Sequence, residues 1–227
     1  MDVPGAGEEV PDQLAKRIRA ARWYPDKASG ALPLGFEDVA EVRSEGPLRS
    51  WLTIVSSRVA PDGLVVPISA STAQNDGEST LLDAAEDARL IAGLMVTIFK
   101  RGTLVGAHGR FVGRLTTFAA SESDADVIDD PRRSSISVMP IGADASNSSL
   151  AVAIGAARYV VKIVRRVRRG LHPQVEIGRF FALESPFSQA PPLVGWLEYI
   201  GGDGPAATVM IVERHLEGRS TAWDRLL

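Results

Sequence analysis

The sequence predicts an α+β fold built on antiparallel sheets, and three observations carry that prediction. Apolar residues recur at helical spacing in two stretches of the first hundred residues. Strand-like runs come in neighbouring groups joined by short turns. A single helix opening on Pro173 interrupts the last group of strands.

Composition narrows the function classes. The 227 residues give room for one large domain or two small ones. With 45% hydrophobic and 23% charged residues the chain can bury a proper core. A net charge of -3 gives no global pull toward nucleic acid or an anionic membrane. The absence of cysteine excludes disulfides and thiolate metal sites. The opening MDVPGAGEEVPDQ is acidic and Gly/Pro-rich, opposite in character to a signal peptide. The longest apolar run, Leu90–Phe99, falls short of the roughly 20 residues that a spanning helix needs. Together these features predict a soluble cytoplasmic protein.

In chain order, residues 1–11 read as a flexible tail. Asp12 then caps a helix with Leu14, Ile18 and Ala21 on one side, ended by Pro25. RWYPDKASG, which overlaps its end, reads as a helix C-terminus with cations near the dipole. Leu48–Val59 and Leu64–Ser69 read as strands joined by a turn at Ala60-Pro61-Asp62-Gly63, with a polar loop over Ala70–Gly77. A second helix is expected over Thr80–Lys100, where Leu90, Ile91, Leu94, Met95 and Ile98 make one apolar stripe and Gly102 the stop. GTLVGAHGRFVGRLTTF holds short strand-like pieces. Ala119–Pro131, with four Asp and one Glu at no fixed ligand spacing, reads as a solvated linker between two subdomains.

From Ser134 a compact antiparallel sheet follows. SSISVMPI, SLAVAIG and RYVVKIVR alternate as three strands. In the third, Tyr159, Val161 and Ile163 face one way, and Val160, Lys162 and Val164 the other. A lysine there either snorkels at a strand end or meets an anionic partner in a cleft. RRVRRG at 165–170 reads as a solvated turn, with phosphate contact from one arginine as the second reading. Pro173 starts a helix with Val175, Ile177, Phe180 and Phe181 on its buried side. Leu193–Ile200 and Ala206–Arg214 then form a hairpin across Gly201–Gly204.

Within this order a polar loop, a strand lysine (Lys162) and a helix glutamate (Glu176) succeed one another. A kinase builds the floor of an ATP site from groups in that order: loop over the phosphates, lysine on them, glutamate holding the lysine.

Several of these segments together resemble the bacterial maltokinases, including those fused to trehalose synthase. RWYPDKASG is similar to the family's motif near the start of its N-terminal cap, with Pro25-Asp26 in place of glycines. DASNSSLAVAIGAARYVVKIVRR resembles its SNTS loop and lysine strand, with Ser148 for threonine; LHPQVEIGRFF resembles its glutamate helix, with His172 for asparagine. PPLVGWLEYI and TVMIVERHLEGRSTAW resemble the strands and hinge that follow, with Arg214 where an acidic residue is usual. The resemblance implies a cap over 12–118, a linker at 119–131 and a protein-kinase-like nucleotide lobe over 132–227. It implies that Ser146, Asn147 and Ser148 drape over phosphates, that Lys162 and Glu176 pair on ATP, and that the hinge around Val212–His215, with Glu213 and His215, offers backbone groups to adenine.

In such kinases a C-terminal lobe supplies the catalytic aspartate and the Mg²⁺ ligands. The nearest matches here, His108-Gly109-Arg110 and Phe36-Glu37-Asp38, lie upstream of the nucleotide lobe, so no catalytic or metal-binding residue is expected in this chain. The expectation is the ATP-binding portion of an enzyme making maltose 1-phosphate from maltose and ATP, inactive alone, with Mg²⁺ bound only alongside a C-lobe. Its partner would be a separate C-lobe chain or an enzyme of trehalose or α-glucan metabolism, and an uncovered underside would drive self-association. Two alternatives stand beside it: a non-catalytic binding or regulatory module, and the lobe of a related kinase acting on another sugar such as glucosamine.

Overall fold

Among the described residues the chain forms two antiparallel sheets and three helices. The computed structural model describes residues 5–25, 33–42, 49–72, 79–116, 130, 134–141, 146–184, 190–202 and 204–216. Most of the acidic linker, the Asp26–Gly30 part of RWYPDKASG, residues 73–77 of the polar loop and the segment GRSTAWDRLL lie outside the described residues. The first sheet is a four-stranded meander: β1 (Gly35–Val42), β2 (Ser50–Ser57), β3 (Ala60–Thr72) and β4 (Ser79–Asp83). The second sheet contains β5 (Thr103–Val105), β6 (Gly109–Leu115), β7 (Ile136–Pro140), β8 (Asn147–Ile154), β9 (Ala157–Val164), β10 (Leu193–Gly201) and β11 (Ala207–Arg214). Their spatial order is β5-β6-β10-β11-β9-β8-β7. The helices are α1 (Asp12–Ala20), α2 (Ala88–Phe99) and α3 (Pro173–Leu183).

The layers run α1, first sheet, α2, second sheet, α3. Strand alternation explains the order. On β2, Trp51 and Val55 face α1 with Leu14 and Ile18, whereas Leu52 and Ile54 face α2 and the second sheet. Both faces of β2 are therefore covered, which is why its sequence reads as a nearly unbroken apolar run. On β9, Tyr159, Val161 and Ile163 enter the central core and Val164 packs under α3, as the alternation predicts.

Several expectations change at this level. Residues 7–10 are not a frayed tail: the amides of Gly7 and Val10 donate to Phe36 and Leu34 carbonyls, and Val10 is buried. Helix does not begin at Thr80, because Ser79–Asp83 completes the edge of β3. α2 begins at Ala88, where the Asp87 carboxylate accepts from the amides of Arg89 and Leu90 at 2.8 and 3.2 Å. It ends as expected, with the Gly102 amide returning to the Thr97 carbonyl at 2.8 Å. The reversal between β2 and β3 comes before Ala60, and Pro61–Gly63 bulges from β3 between the pairs Ser57↔Ala60 and Val55↔Leu64. Gly63 sits there at φ +101, which glycine adopts without strain.

The expected division of 12–118 from 132–227 does not follow the sheets. β5 and β6 join the second sheet through β10, in register from Gly195↔Leu115 to Gly201↔Gly109. The two sheets also share hydrogen bonds. Beyond β9 the chain stays extended and pairs with β3: the Val65 amide donates to the Arg165 carbonyl at 2.8 Å, and the Val167 amide to the Gly63 carbonyl at 3.0 Å.

The arginine run is thus no solvated turn at its start. Arg165 is 1% exposed, its guanidinium 4.3 Å from the centre of the Trp23 ring. It donates to Ser148 Oγ at 2.9 Å, to the Val65 carbonyl at 3.2 Å and to both oxygens of Asp83 at 3.1 and 3.3 Å. Burial pulls its pKa down and the Asp83 carboxylate opposes that.

α3 starts where Pro173 predicts, with His172 Nδ1 accepting from the Gln174 amide at 3.1 Å. Its buried side differs from expectation. Val175 and Gly178 face the sheet, while Ile177 and Phe180 are 54% and 51% exposed. Gly178 sits against Leu193, where a Cβ would crowd that side chain. This close approach turns Ile177 and Phe180 outward.

Candidate nucleotide-binding site

Lys162 lies in the middle of β9, paired with Ser149 of β8 and Ile211 of β11. It is half-buried on the face that α3 covers, beside the apolar patch of Val164, Val175, Leu193, Trp196 and Ile211. Glu213 follows Ile211 by two residues on β11 and so shares that face. Burial pushes the Glu213 carboxyl above the usual carboxylate range, partly offset by a hydrogen bond from Gln174 and the positive charge of Lys162. Burial, then Lys162, then Arg168 pull His172 below its ordinary pKa.

Glu176 is exposed in the first turn of α3, and no Lys162–Glu176 ion pair forms among the described residues. Glu213 lies in the field of Lys162. Strand alternation could have placed Glu213 and Ile211 on one face, but only the β9–β11 register brings Lys162 to that face.

The SNS segment divides between two tasks. Ser146 is exposed just before β8, and its hydroxyl accepts from Asn147 Nδ2 at 2.9 Å. Asn147 and Ser148 are not in a loop but already in the ladder, opposite Val164 and Ile163. The Ser148 hydroxyl accepts from Arg165. Ser146 and Asn147 line a cavity of about 460 Å³ that opens at the end of β9 against the start of α3.

The hinge is also more engaged than expected. The amides of Arg214 and His215 donate to the carbonyls of Pro192 and Arg158 at 2.9 and 3.1 Å, so those donors are spent inside the protein. Glu213 pairs with Val160 on one side and Leu193 on the other, and presents its side chain rather than its backbone. His215 is exposed beyond the strand.

The two upstream near-matches to a catalytic loop touch each other. Asp38 is fully buried, and its Oδ1 accepts from the amides of His108 and Val39 at 3.0 and 2.9 Å. Gly106 and Gly109 pass so close to this carboxylate that a Cβ on either would meet it. Burial and the Asp38 charge push the Tyr199 phenol up. These contacts tie β1 to the β5–β6 hairpin.

The raised pKa of Glu213 has a measurable consequence. A carboxyl whose folded pKa lies above its unfolded value stabilises the fold below the unfolded pKa, and that contribution is lost as pH rises through the folded pKa. Glu213→Gln is therefore expected to raise the denaturation midpoint relative to wild type at pH 7.5 and to leave it near wild type at pH 4. Urea titrations at the two pH values check this; an equal effect at both would contradict the assignment.

No protein-family model and no curated protein matches the chain. The fold nevertheless has a counterpart among sugar kinases. It aligns with a glucosamine kinase at a TM-score of 0.53 and 19% identity, covering 94% of this chain and 44% of that one. This likeness is one of fold, and the chain spans less than half the length of that kinase.

Proposed function

We propose that the chain is the N-terminal, nucleotide-binding portion of a sugar phosphotransferase of the maltokinase type, transferring phosphate from ATP to maltose in the complete assembly. The carrying observation is Lys162, half-buried in mid-strand on the α3 face beside Glu213, in a fold shared with a sugar kinase. In this reading Lys162 binds the α- and β-phosphates, Glu213 and Gln174 steady that corner, and Ser146 and Asn147 border the phosphates. Mg²⁺, the catalytic base and most of the sugar site come from a C-terminal lobe outside these residues. The choice between maltose and another sugar, such as the glucosamine named for the structural neighbour, rests with that lobe.

MgATP titration tests the reading. Wild type is expected to bind, and Lys162→Ala to bind at least about tenfold more weakly through loss of one charge-assisted contact. No transfer to maltose is expected from the 227 residues by themselves. Failure of wild type to bind would leave the non-catalytic module as the better account.

The partner in this proposal is the C-terminal lobe, and the exposed Ile177, Phe180 and Leu183 of α3 are the apolar surface offered to it. Left uncovered, this face is expected to drive concentration-dependent self-association. A sedimentation run showing a monomer at all concentrations would contradict that.

A further inference from the structure

The cavity at the end of β9 carries a charge imbalance. Arg166, Arg168, Arg169 and His172 line it, and no carboxylate does among the described residues. Arg169 is occupied, donating to the Gly201 carbonyl at 3.3 Å. Arg166 and Arg168 have no carboxylate partner among the described residues, and Arg166 Nε is buried without a hydrogen-bond acceptor. A buried guanidinium donor left unpaired costs free energy that a bound oxyanion recovers.

Lys162 precedes Val164, which lines the cavity, by two residues on the same face of β9, and its charge and that of Arg168 both act on His172. α3, eleven residues long, adds the positive end of its dipole at Pro173. Across the cavity, Ser146 and Asn147 contribute a hydroxyl and an amide. A planar guanidinium fork suits the oxygens of a phosphate group better than a point charge does. Three arginines lining a cavity of about 460 Å³ suit linked phosphates better than a single small anion.

We infer that this cavity binds an oligophosphate, with its outer phosphates between Arg166 and Arg168 and its inner end toward Lys162. The phosphates can belong to a nucleotide or to a free oligophosphate. The first carrier rests on the nucleotide-lobe reading above; the arginine cradle does not.

Titration of the 227-residue chain with inorganic tripolyphosphate at low ionic strength tests the inference. Wild type binds, and added salt weakens binding steeply. The Arg166→Gln/Arg168→Gln double variant loses about tenfold or more in affinity, and the exposed single variant Arg168→Gln about threefold. Arg49→Gln, remote from the cavity, leaves binding unchanged, and thermal melts confirm that each variant is folded. Absence of tripolyphosphate binding, or equal binding by wild type and Arg168→Gln, overturns the inference. Competition by MgATP assigns the phosphates to a nucleotide. If Lys162→Ala weakens MgATP and the double variant does not, the cradle fails while the nucleotide-lobe reading stands. If tripolyphosphate binds through the arginines and MgATP does not compete, the cradle stands for free oligophosphate and the nucleotide-lobe reading fails.

Discussion

Arg165→Ala is expected to lower stability by about 3–5 kcal/mol, because it removes one member of a buried ion pair and leaves its partners unsatisfied. The guanidinium serves Asp83, Ser148, the Val65 carbonyl and the Trp23 ring together. In a chain of this size the loss corresponds to a fall of roughly 10 °C in melting temperature. It is a large share of the roughly 5–15 kcal/mol by which domains are usually stable. Arg165→Lys keeps the charge but not the planar fork, so it is expected to fall between alanine and wild type. Calorimetry on the three proteins checks the order. A melting temperature for Arg165→Ala within about 2 °C of wild type would mean that the network contributes little to stability.

Gly113→Ala is expected to cost about 3 kcal/mol or more, the upper end of overpacking penalties. Gly113 lies on β6 under α2, and a Cβ there would meet the Thr97 carbonyl, which is helix backbone and cannot rotate away. The Gly113 amide is itself bonded to the Gly102 carbonyl at 2.9 Å, so neither strand nor helix end can yield without loss. Gly155→Ala makes the useful contrast. Gly155 has φ +56 with no atom near its Cβ position, so alanine there brings backbone strain of about 1 kcal/mol and no collision. Urea midpoints of the two variants separate crowding from strain; equal losses would refute the close packing of α2 on β6.

What could be read from the sequence was what short-range chemistry determines. The β7-β8-β9 meander, the alternation through Tyr159–Val164, the start of α3 at Pro173 and the stop of α2 near Gly102 follow from neighbours within a few residues. β1 is not legible locally, because GFEDVAEV looks no more strand-like than the acidic segments around it; pairing with β2 and the burial of Asp38 decide it. Thr80–Asp83 is expected as the start of the α2 helix, and only pairing with β3 makes it a strand. The sheet that β5 and β6 join is not legible locally, because their partner, β10, lies some eighty residues downstream in sequence.

The site divides in the same way. The place of Lys162 in a strand is legible from alternation, and Ser146 and Asn147 line a cavity at the end of that strand. Glu176 follows from the order of a motif, whereas Glu213, which feels the Lys162 charge, lies on β11, separated from β9 in sequence by α3 and β10. Arg165 was grouped with its arginine neighbours because sequence cannot distinguish a buried guanidinium from a solvated one. Its burial depends on Trp23, Asp83 and Ser148, which come from three other parts of the chain.

The hydrogen bonds between β3 and the extension of β9 give the molecule a mechanical character. Shear between the sheets would have to break the bonds at Val65 and Val167 and drag the Arg165 charge through an apolar layer. The two sheets therefore form one stiff block, with Arg165 as a lever between Trp23 and Ser148. A force applied at Ser148 reaches the Trp23 side through the Arg165 side chain.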